Sequence, residues 1–152
     1  YAGAVTKFGG QTLPVSRGGF DFTRRESMGV VAAIVPWNFP FPIACWKAAP
    51  ALAAGNCVVL KPSSDTPTIA AIFIETLLEA GFPARAIAYL SGSGAAVGDP
   101  LVEHPLTRFI SFTGSRDVVS VQVAEVGLVF AETPRAQPQA PIHRQCSTAA
   151  GR

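Results

Sequence analysis

The sequence predicts an α/β fold: a doubly wound parallel sheet, incomplete, with a β-hairpin ahead of it. Three observations carry that prediction. Four short runs, 29–35, 56–61, 86–92 and 108–115, alternate with Ala- and Leu-rich stretches of helical character, which is the rhythm of βαβ units. The runs GVVAAIV and NCVVLK are apolar through their middles rather than alternating, as strands covered on both faces are. Glycine, proline or a hydroxyl residue stands at their ends, where the chain has to change direction.

Taken in order, residues 11–28 (QTLPVSRGGFDFTRRESM) read as the hairpin: TLPV, a Gly-Gly turn, then FDFTRRE with alternating apolar and polar positions. Such a ribbon suits a sheet edge or a subunit contact. GVVAAIV is the first buried strand. It leaves through VPWNFP, where Pro36 and Pro40 bracket Trp37 and Asn38. Proline fixes its own backbone and pushes the preceding residue toward extended geometry, so this turn is stiff. Two readings stay open here: a rigid connector with a packed indole, or a strand-end loop that carries ligand chemistry. PIACWKAAPALAAG follows as a helix kinked at Pro50 and closed by Gly55. NCVVLK is the second strand. PSSDTPTIAAIFIETLLEAG offers Ser, Asp and Thr caps ahead of Pro67, an amphipathic stripe through Ile69, Ile72, Phe73, Thr76 and Leu77, and a stop at Gly81. AIAYLSG is the third strand, running into GSGAAVG (92–98) and a short helix, and RFISFTGS is the fourth. The strand–helix alternation makes this a parallel sheet with right-handed crossovers, and residues 1–118 form a partial domain. From 119 to 152 the rhythm stops. The Pro-, Gln- and Ala-rich run AETPRAQPQAPIHRQCSTAAGR has no period, and a poorly ordered tail is expected there.

Composition bounds the function. A chain of 152 residues has room for one domain with a core. It is 49% hydrophobic and 14% charged, and its scattered net charge of +2 argues against nucleic acid or a membrane surface as partner. The longest apolar stretches, around 28–37 and 48–60, are broken by Pro, Gly or Asn well short of a spanning helix. YAGAVTKFGG lacks the pattern of a signal peptide, and without an initiator Met the chain is expected to start inside a longer reading frame. The three cysteines, Cys45, Cys57 and Cys146, have no CxxC spacing, so a reduced, cytoplasmic setting without a metal site is expected. Cys45 and Cys57 read as buried, structural thiols.

Four strand ends converge on one edge of such a sheet: PWN, KPSS, GSGAAVG and FTGS. Ligands of open parallel sheets sit in the crevice outside the carboxyl ends of the strands. Lys61 places a cation there, Ser63 and Ser64 add hydroxyls, and Gly92-x-Gly94-x-x-x-Gly98 allows a close approach to a helix start. That spacing is one residue longer than the usual dinucleotide fingerprint. Together the four loops predict a nucleotide-binding crevice.

The ordered set PWN, KPS, GxGxxxG and FTGS, within GVVAAIVPWNFPFPIACWKAAPALAAGNCVVLKPSSDTP, GSGAAVGDPLVEHP and ISFTGS, resembles the Rossmann-like cofactor domain of the NAD(P)-dependent aldehyde dehydrogenases. The resemblance runs from the N-terminus to about Val118. It implies that Asn38 is the oxyanion-hole amide, that Ile34, Val35, Pro36 and Trp37 line the cofactor, and that Lys61, with Ser63 and Ser64 beside it, meets the adenosine ribose. It further implies that Gly94 and Gly98 lie beside the adenine and first phosphate, and that Ser115 binds the pyrophosphate among Phe112, Gly114 and Val118. Many NAD-preferring members carry Glu at the position of Ser64. Serine removes a charge that would repel a 2′-phosphate, so NAD with tolerance of NADP is expected.

The family nucleophile is a cysteine, and its general base a glutamate that activates water. VAEVG (123–127) is similar to the family's Glu-Leu-Gly-Gly segment and would make Glu125 the base; RQCSTAAGR (144–152) is similar to its Gln-x-Cys-Ser segment and would make Cys146 the thiol. Both fall too early after FTGS, and Leu128 replaces the second glycine, so a coincidence within the tail is the favoured reading. A piece of a longer enzyme, a frameshifted product and a decayed gene all fit the abrupt change. The implied activity is oxidation of an aldehyde to its acid by a homo-oligomeric enzyme, with little or no turnover expected of this chain. The alternative is a catalytically dead nucleotide-binding or subunit-association module.

Overall fold

The computed structural model describes residues 1–16 and 18–114. Ser115 and Val118 at the end of the partial domain, and the expected tail with Glu125 and Cys146, lie outside the described residues. A short 3-10 helix, Ala2–Lys7, precedes a two-stranded antiparallel ribbon of β1 (Thr12–Leu13) and β2 (Asp21–Phe22). The hairpin is where the sequence places it but shorter, because both strands are exposed and a ribbon with no packed face does not extend itself.

The main sheet follows from β3 (Val30–Ile34), α1 (Pro40–Ala53), β4 (Cys57–Lys61), α2 (Pro67–Glu79), β5 (Ile87–Tyr89), a π-helical turn at Gly94–Gly98, α3 (Asp99–Glu103) and β6 (Thr107–Phe112). Its four strands are all parallel, in the order β5-β4-β3-β6. The chain steps outward from β3 to β5, then crosses back to lay β6 on the other side of β3. Odd and even positions of β3 face opposite ways. Val31, Ala33 and Val35 pack with α1, α2 and β4 in a core that includes Ile43, Ala48, Leu60, Phe73 and Ile74. Ala32 packs with Leu101, Ile110 and Phe112 beneath α3. Helices on both faces make the sheet doubly wound, as predicted.

Asn56 anchors the start of this layer: its Oδ1 accepts from the Met28 and Gly29 amides at 2.7 and 3.1 Å, and its Nδ2 donates to the Ala51 carbonyl at 3.1 Å. Gly55 and Gly81 follow α1 and α2 at φ +81° and +85°, the left-handed backbone that ends helices and favours glycine. α1 continues through Pro50 to Ala53. Thr66 takes the cap position of α2, but its side chain makes no capping bond. Ser63 Oγ instead accepts from the Asp65 amide at 3.4 Å, closing a local turn of the kind that competes with a cap.

Candidate functional site

Backbone hydrogen bonds lace the carboxyl edge of the sheet beyond the strands. The Thr113 amide donates to the Ile34 carbonyl at 3.1 Å, Val35 to Lys61 at 3.1 Å, and Leu90 to Leu60 at 3.0 Å. Ile34 is paired with both Lys61 and Phe112, so the loops after all these strands open on one edge. The winding reverses between β3 and β6. Ligands in open parallel sheets bind at that kind of reversal.

The predicted positions that fall among the described residues lie on the strand ends and loops of this edge. After β3, Pro36 leads into a bend of Trp37, Asn38 and Phe39. The Trp37 indole is 64% exposed, so it is not a packed connector. Asn38 is exposed, and among the described residues nothing hydrogen-bonds its amide. Val35 is different: its side chain is buried in the α1 core, and what it offers the crevice is backbone. Ile34 packs on the α3 side.

After β4, Lys61 is only 6% exposed. Its Nζ donates to the Pro62 carbonyl at 3.2 Å, and no carboxylate pairs with it among the described residues. Burial disfavours the charged form and lowers its pKa. Ser64 Oγ donates to the Gly92 carbonyl at 3.2 Å, which ties the loop after β4 to the loop after β5. In that second loop Ser93 Oγ accepts from the Ala96 amide at 3.2 Å.

The glycines there serve different ends. Gly92 has φ +154°, and a Cβ on it would lie 2.5 Å from Val97 Cγ2. A Cβ on Gly94 would meet nothing within 4 Å, which leaves room for a ligand. Gly98 lies against the Lys61 side chain. After β6, a Cβ on Gly114 would lie 2.5 Å from Phe112 Cζ, so this glycine makes way for a buried ring.

The cysteines need one correction. Cys57 is exposed, not buried. It opens β4 at the amino edge, on the face covered only by the five-residue α3, so nothing lies over it. Cys45 is half-buried against the α1–α2 core, and desolvation raises its thiol pKa. Lys47 was not singled out by its sequence context. It is 8% exposed and donates from Nζ to Ser111 Oγ at 3.1 Å, beside a concavity of about 470 Å³ between α1 and β6 lined by Met28, Trp46 and Phe109. A lone lysine in an Ala-rich helix carries no signal of this. Among the described residues no His/Cys/Asp/Glu group is arranged for a metal, and no helix is long and apolar enough to cross a membrane.

A buried cation, serine hydroxyls that tie the loops together and an open glycine along one carboxyl edge suit a dinucleotide. Comparison with known proteins agrees. Structures similar to this chain include PnpE in complex with nicotinamide adenine dinucleotide and PnpE from Pseudomonas sp. WBC-3, each at 39% identity over 86% of this chain and 28% of that one, TM-score 0.78. An NAD-dependent benzaldehyde dehydrogenase from Corynebacterium glutamicum matches at 41% identity over 76% of this chain and 26% of its own, TM-score 0.71. Proline utilization A of Bradyrhizobium japonicum matches at 33% identity over 87% and 14%, TM-score 0.77. The chain thus spans under a third of the length of these relatives. The aldehyde dehydrogenase family model matches residues 1–127, a span that takes in Glu125 and stops short of Cys146. With the sheet order, the four edge loops and the family match in agreement, this chain belongs to the aldehyde dehydrogenase family.

Proposed function

We propose that the carboxyl-edge crevice is an NAD site, tolerant of NADP, serving the oxidation of an aldehyde to its carboxylic acid. The observation that supports this is the placement of Asn38, Lys61, Ser64 and Gly94 on the loops and strand ends that follow β3, β4 and β5 at one edge of the sheet. When bound, NAD supplies the hydride acceptor. Lys61 donates to the adenosine ribose, with Ser64 beside it, and Gly94 leaves the backbone open to the phosphates. The family resemblance assigns Ser115 and Val118, outside the described residues, to the pyrophosphate. The stiff Pro36–Pro40 bend holds the Asn38 amide toward the oxygen that gains charge when a thiol adds to the aldehyde. A preorganised donor is effective because it needs no rearrangement during the reaction.

The family resemblance offers Cys146 as that thiol and Glu125 as the base. Cys57 opens β4 at the edge opposite Lys61, and Cys45 is half-buried against the core with its thiol pKa raised by desolvation, so neither is offered as the nucleophile. The 152-residue chain is therefore expected to bind nucleotide and to turn over little or no aldehyde, in a reduced, cytoplasmic setting. A second reading, a subunit-association module, is favoured by the Phe20 and Phe22 rings, tilted against each other with centroids 5.5 Å apart on the exposed ribbon.

Calorimetric titration of the chain with NAD and with NADP tests the site. Saturable binding of both is expected, and failure of NADP to bind refutes the tolerance. Aldehyde-dependent NADH formation that Cys146→Ala abolishes would show instead that the chain is a working enzyme.

A further inference from the structure

We infer that Gly98 is a positioning residue for Lys61: it is glycine so that the lysine side chain can run beneath the start of α3 to the carboxyl edge. The inference rests on the nucleotide-site reading above and deepens it, because it moves Gly98 from ligand contact to support.

The backbone does not require glycine at this position. Gly98 has φ −66° and ψ −53°, ordinary right-handed helical values that any residue adopts. In helical backbone glycine is the poorest choice short of proline, so a packing reason has to outweigh that preference. Gly92 and Gly94 do not share it. The first has a backbone conformation that demands glycine, and the second faces open space.

A Cβ on Gly98 would lie 3.3 Å from Lys61 Cε and 3.7 Å from Cδ, and Gly98 is itself buried. An alanine methyl would therefore touch Cδ at ordinary contact distance and push Cε by a few tenths of an ångström. Lys61 is 6% exposed and its Nζ is held by the Pro62 carbonyl at 3.2 Å, so the chain has little freedom to swing aside. One of the three ammonium donors is used by Pro62. The others have no acceptor among the described residues, which suits a ligand hydroxyl. A shift of a few tenths of an ångström at Cε carries the ammonium off that line.

The test is a comparison of Gly98→Ala, Gly98→Val, Lys61→Met and the Gly98→Ala/Lys61→Met double variant in the 152-residue chain. NAD affinity is read by calorimetry. The titration of Lys61 is read by NMR after reductive methylation. The only lysines are Lys7, Lys47 and Lys61, and the signal lost in Lys61→Met assigns the third. Lys61→Met should weaken NAD on the order of tenfold, as loss of one hydrogen bond from a charged group does. Gly98→Ala should weaken it severalfold and Gly98→Val more. The double variant should bind no worse than Lys61→Met, and the Lys61 titration should move in both glycine variants.

Losses that multiply in the double variant would mean that Gly98 meets the nucleotide directly, and the inference falls. An unmoved Lys61 titration in both glycine variants overturns it as well. If the parent chain binds no NAD, the nucleotide-site reading fails, and the Lys61 titration alone then decides whether Gly98 positions the lysine.

Discussion

Lys61 is the residue on which stability and binding pull apart. Desolvation penalises its ammonium, so its pKa in the folded chain lies below the ordinary 10.5. Between those two values the unfolded chain binds more protons than the folded one, and stability rises with pH through that window. Below the lowered pKa the cost of burying the charge is present in full. Lys61→Met removes that cost, and its thermal midpoint at neutral pH should exceed the parent's. The gap should narrow as pH climbs toward 10.5, and a variant less stable than the parent at neutral pH would sink this account. A group that costs stability and holds only a neighbouring carbonyl fits a ligand-binding role better than a structural one. Asn38 follows the same logic without charge, since its amide is exposed and unengaged among the described residues.

At the scale of elements, punctuation decides more than propensity. α2 ends at Gly81, whose φ of +85° is accompanied by no neighbour within 4 Å of a Cβ. Gly81→Ala should therefore cost roughly 1 kcal/mol through backbone strain alone, read as a lower denaturation midpoint in urea with an unchanged slope. Nucleotide affinity should stay as it was, because Gly81 lies at the end of α2 opposite Ser64. Stop signals of this kind are legible in sequence because the physics is local to one residue. The start signals were less so. Ser63, Asp65 and Thr66 all look like caps, yet the hydroxyl of Ser63 turns back on Asp65 and Thr66 Oγ1 is buried without a partner among the described residues. Which of several adjacent acceptors wins depends on the loop's path from β4, and that path is set by the sheet.

Across the whole molecule, much apolar surface is left open: Trp37, Phe39, Phe41, Trp46, Ile72 and Leu106 are each more than half exposed. Phe20 and Phe22, at 77% and 57%, put the same kind of surface on the ribbon, and apolar patches of that kind mark contacts. The chain should self-associate, and Phe20→Ser with Phe22→Ser should lower its mass in sedimentation velocity. An unchanged mass would move the contact to the α1 face. The amino-acid sequence by itself determined the parallel α/β layer, the helix stops and the convergence of four strand ends on one edge, because period, glycine conformation and proline stiffness act within a few residues. Only the tertiary structure decided that Cys57 is uncovered, that Lys47 reaches Ser111, and that Gly98 lies on Lys61. Those outcomes depend on which strand ends are neighbours and how short α3 is, and pairings between residues 37 or 64 positions apart in the chain leave no local trace.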